Sequence, residues 1–345
     1  MTMENSTQVK EFVLCGLSNN DKLIPFLFAF FFMVYLVTLF GNIGLIAIVN
    51  VASNLNSPMY YFLSYLSAVD LFYSTSVTPK MLSDLISLKK TISFHGCAMQ
   101  LLVFATMAGT EVLLLSSMSY DRYVAICHPL RYISIMTKKK CVSLVSLSFF
   151  FGFLQSFAQI VCMFSLWYCG PNVIDHFYCD IPPILKLSCS KTLQCDIISM
   201  TLIGSYSICT LSAILVSYVL IFSTILRINS SKGRQKAFNT CSSHLMCASV
   251  FYVTVIFTYV HSPPSGLQKQ DKVISVFYAI GTPMLNPLIY SLRNQEVKRA
   301  IIQAFNNTFP QLDCICDLCT QSHPIFIMAM LFPKFLSIFS NLQLS

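Results

Sequence analysis

Asp121 and Arg122 form an adjacent acid–base pair where a long apolar segment, Gln100–Met118, gives way to a basic loop. The pair lies in the run Met118–Leu130, MSYDRYVAICHPL. Because charged side chains are costly in hydrocarbon, a helix that ends here places both at the membrane interface, where they can pair or receive a partner protein. The alternative is that Asp121, Arg122 and Tyr123 only end the helix and anchor it among the headgroups.

Three polar residues are expected near the middle of the membrane. Asp70 lies within the second apolar segment, Glu111 within the third and Asn286 within the seventh. Ionisable residues at that depth are usually functional, and two carboxylates with an amide are suited to surround a cation such as sodium. The alternative is that the two carboxyl groups share one proton and hydrogen-bond locally. Neither interpretation suggests catalysis, and we expect no enzyme.

No known catalytic pattern accompanies these groups. The sequence contains no His/Cys cluster at metal-ligand spacing, no nucleophile motif and no glycine-rich phosphate loop. Apart from sodium, we therefore expect no cofactor.

Composition places the chain in a lipid bilayer. Hydrophobic residues make up 55% of the 345 residues and charged residues 10%, whereas charged residues make up about 25% of a soluble protein. About 20 apolar residues form a helix that crosses a bilayer. We therefore predict an all-α membrane protein, a seven-transmembrane helix bundle, with spans at Ile24–Val49, Met59–Met81, Cys97–Ala125, Cys141–Phe164, Ile197–Leu226, Ala237–Val260 and Val273–Tyr290.

A short amphipathic helix is predicted after the seventh span. Its apolar positions recur at helical spacing, with Lys298 and Arg299 off that face: Val297, Ala300, Ile301, Ala304 and Phe305. We divide the chain into an extracellular N-terminus (1–23), a seven-helix domain (24–292), an amphipathic cytoplasmic helix (293–306) and a cytoplasmic tail (307–345). Within the tail, Pro324–Phe339 is apolar but short and broken by Pro333 and Lys334, so we expect it to touch the membrane without spanning it.

The distribution of basic residues predicts the orientation. With the N-terminus outside, more than half of the 22 Lys and Arg residues fall on the cytoplasmic side. No basic region precedes a short apolar core at the start, so we expect no cleaved signal peptide. Asn5-Ser6-Thr7 then becomes an N-glycosylation acceptor on the outer face of the plasma membrane.

Cysteines gather on the predicted outer side. Cys97 opens the third span, and the following outer loop, Ser165–Asp196, holds Cys169, Cys179, Cys189 and Cys195. Disulfides are expected in that oxidising space, although the sequence alone leaves their pairing open. We expect the cysteines within spans to pack as small apolar groups, among them Cys162, Cys209 and Cys247.

Two prolines interrupt the seventh span. Pro283 and Pro287 each remove a backbone hydrogen bond and permit a kink. Such a helix can act as a hinge, or the kink can be static. Asn286 and Tyr290 lie towards the end where Arg122 is expected, which favours an opening on that side.

Taken together, these motifs resemble the rhodopsin-like (class A) G-protein-coupled receptors, and more narrowly the olfactory receptors. The resemblance covers about Thr7 to Phe305. It depends on Gly41-Asn42, Ser57–Ser64, Leu66–Asp70, Met118–Leu130, Ser217-Tyr218, Lys236–Leu245 and Pro283–Tyr290, and on the loop motif His176–Asp180.

The resemblance implies a function and partners. A small-molecule odorant would enter from outside and settle among the third, fifth, sixth and seventh helices. A heterotrimeric G protein of the stimulatory olfactory type would then raise cyclic AMP, in the cilia of olfactory neurons. It also implies disulfides Cys97–Cys179 and Cys169–Cys189. The residues implied in activation and coupling are Asp121, Arg122, Tyr123, Tyr218, His244, Tyr252, Asn286, Pro287 and Tyr290. Partners are then the odorant, the G protein and the bilayer, without nucleic acid.

Helical spacing places the ligand pocket among the third, fifth and sixth spans. We predict that it is lined by Phe104, Ala105, Ala108, Gly109, Val112, Leu202, Ile203, Tyr206, Val255, Ile256 and Tyr259. Amine-binding relatives carry an acid at the position of Phe104, so we expect a neutral ligand with one hydrogen bond from Tyr206 or Tyr259. Between Val273 and Tyr290 there is no lysine, which excludes a retinal Schiff base.

Two other classes of membrane protein fit the sequence less well. An ion-coupled transporter could use Asp70 and Glu111 as its relay, but the sequence shows neither internal repeats nor a path of acids. An adhesive protein would need large outer domains, whereas the longest predicted outer loop is Ser165–Asp196.

Overall fold

The computed structural model describes residues 9–18, 20–169, 172–260 and 268–308. Seven membrane-spanning helices form the bundle, which confirms the predicted fold class. They are α1 (Ile24–Val51), α2 (Pro58–Ile86), α3 (Phe94–Cys127), α4 (Lys138–Phe164), α5 (Leu193–Leu226), α6 (Ser231–Val260) and α7, which joins Gln268–Val276, Phe277–Gly281 and Thr282–Arg293.

Among the described residues, five of these helices are long and apolar enough to cross a membrane by composition alone. The exceptions are α2, which carries Asp70, Lys80 and Asp84, and α6, whose apolar part is confined to Cys241–Val255. Polar side chains in the middle of both helices are nevertheless buried in the bundle, among them Asp70 in α2 and Ser243 and His244 in α6.

The centre of the bundle is α3, which contacts α2, α4, α5 and α6. Large apolar side chains such as Phe26 and Phe150 are exposed on the outside, as expected for a surface that faces lipid. Helices α3 and α4 approach closely at Gly152, where an added Cβ would lie 2.6 Å from the Thr110 hydroxyl. Small residues permit this contact between membrane helices.

A small sheet covers one end of the bundle, which we call the sheet end; the opposite end is the Arg122 end. Strand β1 (Glu11–Leu14) pairs antiparallel with β2 (Thr91–Ser93) and parallel with β3 (Val173–Ile174). Lys272, at the start of α7, forms an ion pair with Asp175 at 2.5 Å. This bond lowers the pKa of Asp175, and it ties α7 to the loop that follows β3.

Three disulfides lie at the sheet end in the described part of the chain. Two join Cys97 to Cys179 and Cys169 to Cys189, the pairs that the resemblance implies. The third joins Cys162 to Cys195, with Cα atoms 5.7 Å apart. The expectation that Cys162 packs as an apolar group is therefore wrong. Cys162 lies in the last turn of α4 and Cys195 in the first turn of α5, so their side chains meet. The other two cysteines of that expectation, Cys209 and Cys247, form no disulfide.

The third bridge can be tested by alkylation. In the denatured but unreduced chain, we expect an alkylating reagent to modify Cys209 and to leave Cys162 and Cys195 unmodified, as read by mass spectrometry. In Cys162→Ser, Cys195 should become reactive and the chain should be destabilised by roughly 3–4 kcal/mol, the value for a loop of this length. Modification of Cys162 in the natural chain without reductant would contradict the bridge.

The kink in α7 begins earlier than expected. The backbone widens into a π-helix at Phe277–Gly281, one turn before Pro283. Pro283 has no N–H to donate to the carbonyl of Ala279, and its ring crowds that carbonyl, so the preceding turn gives way. On the other side, the Asn42 amide donates to the Pro283 carbonyl at 3.0 Å, which fastens α1 to the kink.

Helix α8 (Gln295–Thr308) follows α7 directly. Its residues Val297, Ala300 and Ile301 are buried against the bundle. The Tyr60 hydroxyl of α2 donates to the Glu296 carboxylate at 2.7 Å. The apolar spacing therefore corresponds to a docked helix; the side chain of Phe305 and residues 309–345, most of the predicted tail, lie outside the described residues.

Candidate ligand pocket and coupling site

A cavity of about 80 Å³ lies between α3, α4, α5, α6 and α7 near the sheet end. This volume holds several water-sized groups, since one water needs about 10–15 Å³. Eight of the residues predicted for the pocket line it: Phe104, Ala105, Ala108, Gly109, Val112, Ile203, Tyr206 and Val255. Leu202 does not line it, because the face that α5 turns to the cavity contains Ile203, Tyr206 and Ser207. The side chains of Ile256 and Tyr259 lie outside the described residues.

Other residues line the cavity that the spacing argument missed: Leu101, Gln155, Gln159, Asp180, Ile181, Ser207, Phe251 and Tyr278. Helical spacing named residues on the third, fifth and sixth spans alone, so those of α4, α7 and the loop after β3 were not predicted. One signal was present in the sequence, since Gln155 and Gln159 are the two amide side chains of the fourth span and lie one helical turn apart.

The loop after β3 is held over the cavity by α3. The Cys97–Cys179 bridge fixes its position, and the Gln100 side chain accepts a hydrogen bond from the Cys179 amide at 3.0 Å. The same side chain donates to the Ser76 carbonyl of α2 at 3.0 Å. Asp180 and Ile181, next along the chain, are thereby brought to the cavity.

An aromatic cluster forms one wall. The ring of Phe104 stacks on Tyr73 with centroids 4.7 Å apart, and it contacts Tyr178 and Tyr278 at 5.0 and 5.6 Å. Phe104 occupies the position where an amine receptor would carry an acid. Its ring is only 3% exposed and lies at the centre of this aromatic wall.

The polar groups around the cavity differ in whether they are already bonded. The Tyr206 hydroxyl donates to the Phe151 carbonyl at 2.8 Å, so its proton is committed to α4. The Asp180 carboxylate accepts hydrogen bonds from the Ile181 amide at 2.8 Å and the Tyr178 hydroxyl at 3.1 Å. By contrast, Gln155 Oε1 and Gln159 Nε2 are buried and have no hydrogen-bond partner within the described ranges.

Deeper in the bundle, one amide joins the two carboxyl groups. Asn286 Nδ2 lies 3.1 Å from Asp70 Oδ2 and 3.1 Å from Glu111 Oε1. Asp70 and Glu111 are fully buried, and Glu111 Oε2 has no hydrogen-bond partner among the described residues. Within the same residues, no group of three or more His, Cys, Asp or Glu side chains is placed to hold a metal ion.

At the Arg122 end, the acid–base pair is closed. Arg122 Nη2 and Nε lie 2.5 and 3.0 Å from Asp121 Oδ2, and the Tyr132 hydroxyl donates to Asp121 Oδ1 at 2.8 Å. Burial, together with the Asp121 charge, raises the pKa of Tyr132, so the phenol remains a donor at neutral pH. Asp121 is fully buried and Arg122 only 9% exposed, so the pair is covered rather than presented to water.

A second set of bonds joins α3, α5 and α6 near that end. His244 is fully buried; its Nδ1 lies 2.7 Å from the Tyr218 hydroxyl and its Nε2 lies 2.9 Å from the Leu115 carbonyl. Since the carbonyl can only accept, Nε2 carries the proton and Tyr218 donates to Nδ1. One turn below the cavity, the Tyr252 hydroxyl donates to Thr210 at 2.6 Å.

The remaining residues implied in coupling occupy separate places. Pro287 packs against Gly41, where an added Cβ would lie 3.0 Å from the proline ring. Tyr290 is fully buried in the core. Tyr123 is directed away from the acid–base pair, and its hydroxyl lies 3.1 Å from His128 Nε2.

Comparison with known proteins identifies the family. The family model described as olfactory receptor matches residues 31–308. Olfactory receptor 8U3 of Mus musculus is 47% identical over 312 residues, which cover 90% of this chain and 98% of that protein. Olfactory receptor 8H1 of Homo sapiens is 48% identical over 303 residues, 88% of this chain and 97% of the relative.

A solved structure supports the fold. Squid rhodopsin superposes with a TM-score of 0.66 over 85% of this chain and 83% of the rhodopsin chain, at 16% sequence identity. The relatives are signalling receptors and not enzymes, and this chain is accordingly a multi-pass membrane receptor without enzymatic activity. The chain belongs to the olfactory receptor family of G-protein-coupled receptors.

Proposed function

We propose that this receptor binds a small, neutral, volatile odorant at the sheet end and activates a stimulatory, olfactory-type heterotrimeric G protein, which raises cyclic AMP. One observation carries the proposal: α3 lines a largely apolar cavity at one end and supplies the covered Asp121–Arg122 pair at the other. A single rigid helix thus connects a ligand site with a candidate coupling site.

In this proposal the sheet end faces the outside and the Arg122 end the cytoplasm. Disulfides form in oxidising compartments, and all three bridges of the described chain lie at the sheet end. The N-terminus is then extracellular, with Asn5, which lies outside the described residues, as the glycosylation site. The receptor resides in the plasma membrane of olfactory neuron cilia.

The lining of the cavity favours a neutral ligand, because Asp180 is the one charged side chain among the described residues that line it. Phe104 contributes a ring, and both oxygens of Asp180 already accept hydrogen bonds from the chain. An ammonium group entering the cavity would give up its hydration for one carboxylate that the chain already uses and an otherwise largely apolar wall. A neutral molecule with an apolar body meets the aromatic wall without that cost.

Activation requires the helices to separate at the Arg122 end. A ligand that prefers the open arrangement shifts the equilibrium towards it by its difference in affinity. For α6 to leave α3, the bond between His244 and the Leu115 carbonyl must break. Arg122 then exchanges Asp121 for the G protein, and the kink of α7 at Phe277–Gly281 provides a place to bend.

We also propose sodium as an allosteric ion held by Asp70 and Glu111. The residues fit a cation, since two carboxyl groups are fully buried together and one oxygen, Glu111 Oε2, lacks a partner in the described chain. A bound sodium ion would supply the positive charge that Asn286 alone does not provide. Because it would join α2 and α3 in the closed arrangement, it would oppose activation.

Replacing sodium chloride by choline chloride should therefore lower the odorant concentration for half-maximal response by about fivefold, the lower range of allosteric coupling. Asp70→Asn should remove this dependence. The assay is cyclic AMP formation in permeabilised cells at constant ionic strength. An unchanged response in choline would reject the sodium site and favour one proton shared by Asp70 and Glu111.

The proposed function is tested by cyclic AMP in cells that express the chain with the olfactory stimulatory G protein. A broad odorant panel is applied, and surface receptor is measured by antibody staining. We expect at least one odorant to raise cyclic AMP above the level of cells without the chain. Full surface staining with no response across the panel would count against coupling to this G protein.

A further inference from the structure

We propose that Gln155 and Gln159 of α4 together form a hydrogen-bonding seat for the head group of the ligand, so that the receptor favours small aliphatic alcohols over ethers and alkanes of the same size. The inference rests on the proposed function in one respect, that the cavity is the ligand site. It adds a chemical class of ligand and assigns α4 a role in selectivity.

The two amides are polar groups left without partners. Gln159 is 1% exposed, and its Nε2 has no hydrogen-bond partner in the described part of the chain. Gln155 Oε1 is likewise buried and unpaired there, and it lies over Gly109, 3.1 Å from the place of an added Cβ. A buried polar group without a partner is destabilising, so two of them on one helix, both lining the same cavity, point to a ligand that pairs with them.

Their placement gives them a common target. Residues four apart lie on the same face of a helix, and both side chains line the cavity. The pair offers one N–H donor and one carbonyl acceptor, and exchanging O and N within either amide still leaves both kinds of group available. A hydroxyl group, which accepts one hydrogen bond and donates another, satisfies both amides at once.

Two of the other polar groups that line the cavity are already hydrogen-bonded by the chain, while Ser207 and Tyr278 each supply a single hydroxyl and not a pair of amides. The Tyr206 proton is donated to the Phe151 carbonyl, and Asp180 is bonded through both oxygens. The lining that α3 and α6 contribute includes the apolar side chains of Phe104, Val112 and Phe251. An alcohol with its hydroxyl on α4 and its alkyl chain against α3 and α6 matches this division.

The test compares three probes of nearly equal size. Pentan-1-ol donates and accepts a hydrogen bond, butyl methyl ether only accepts, and pentane does neither. Each is titrated into the purified full-length receptor in lipid nanodiscs, and the rise in melting temperature reports binding without any G protein. We expect pentan-1-ol to act at the lowest concentration and pentane at the highest.

Two variants and a control assign the preference to α4. Gln159→Met and Gln155→Met keep the side-chain volume but remove the amide, and each should raise the half-maximal pentan-1-ol concentration about tenfold, the effect of one hydrogen bond, while pentane is unaffected. The unliganded variants should melt at the same or a higher temperature, because a buried unpaired group is removed. Ser156→Ala is the control, since the Ser156 hydroxyl donates to the Gly152 carbonyl within α4 at 2.8 Å and does not line the cavity.

The outcomes separate this proposal from the proposed function. Three results would contradict the proposed hydrogen-bonding role of Gln155 and Gln159. They are equal effects of the three probes, no effect of any probe, and lower melting temperatures of both unliganded Gln variants. The last result would mean that the amides serve the packing of α4. Cyclic AMP that rises equally with alcohols and alkanes would also overturn it while leaving the receptor function intact. An alcohol preference in melting temperature that the Gln variants lose, without any cyclic AMP response, would support the seat and count against the signalling.

Discussion

Arg122→Ala is expected to abolish the odorant-dependent rise in cyclic AMP while the receptor remains at the cell surface. In the structure Arg122 is bonded to Asp121 through two nitrogens and is nearly covered. The proposed G-protein contact replaces this partner with another. Truncating one member of a buried, hydrogen-bonded charge pair costs about 2–5 kcal/mol, which corresponds to a loss of roughly 30-fold or more in coupling.

Changes on the other side of the pair should act in the opposite direction. Asp121→Asn removes the negative charge that pairs with Arg122, so cyclic AMP without odorant should rise. Tyr132→Phe removes one hydrogen bond to Asp121 and should produce a smaller rise. Arg131→Ala provides the matched control, because Arg131 is exposed at the same end and belongs to no ion pair of the described chain. If Arg131→Ala reduced the response as much as Arg122→Ala, general positive charge rather than the pair would be responsible.

Cys97→Ser and Cys179→Ser should each remove most of the receptor from the cell surface. Their bridge closes a loop of 82 residues, and such a crosslink stabilises a fold by about 4–5 kcal/mol in the chain-entropy model. The stability of a whole domain is only about 5–15 kcal/mol. The bridge also holds Asp180 and Ile181 at the cavity, so any receptor that reaches the surface should respond more weakly.

Cys15→Ser is the control for this pair of variants. Cys15 is a free cysteine next to β1 at the same end of the molecule. Its replacement should leave surface staining, measured on unpermeabilised cells, near that of the natural chain. Normal surface level and normal odorant response of Cys97→Ser would contradict the structural role given to the bridge.

The spans could be predicted from the sequence because hydrocarbon imposes a long apolar run on each of them. Predicted and observed limits agree within a few residues for α1 and α4. Helix α2 extends five residues beyond its predicted end at Met81, because Leu82 and Leu85 remain buried and the Lys80–Asp84 ion pair lets charged residues continue the helix. Local composition does not reveal such compensation between side chains.

Features that depend on contacts between distant segments could not be predicted. The sheet at the sheet end pairs Val13 with Val173, and nothing in a four-residue strand indicates a partner so far away. The bridge between Cys162 and Cys195 required knowing that the ends of α4 and α5 meet. The face of α3 chosen by helical spacing lines the cavity, whereas the contribution of α4 depends on how closely Gly109 and Gly152 let the two helices approach.

The central claim is that ligand binding at the cavity is transmitted to a G protein at Arg122. The most direct measurement is GDP–GTP exchange by the olfactory stimulatory G protein, with the purified full-length receptor in nanodiscs and the odorant panel added as a mixture. We predict that odorants accelerate exchange in the presence of the natural receptor and have no effect with Arg122→Ala. Odorants that raise the melting temperature of the natural receptor but leave the exchange rate unchanged would contradict the account.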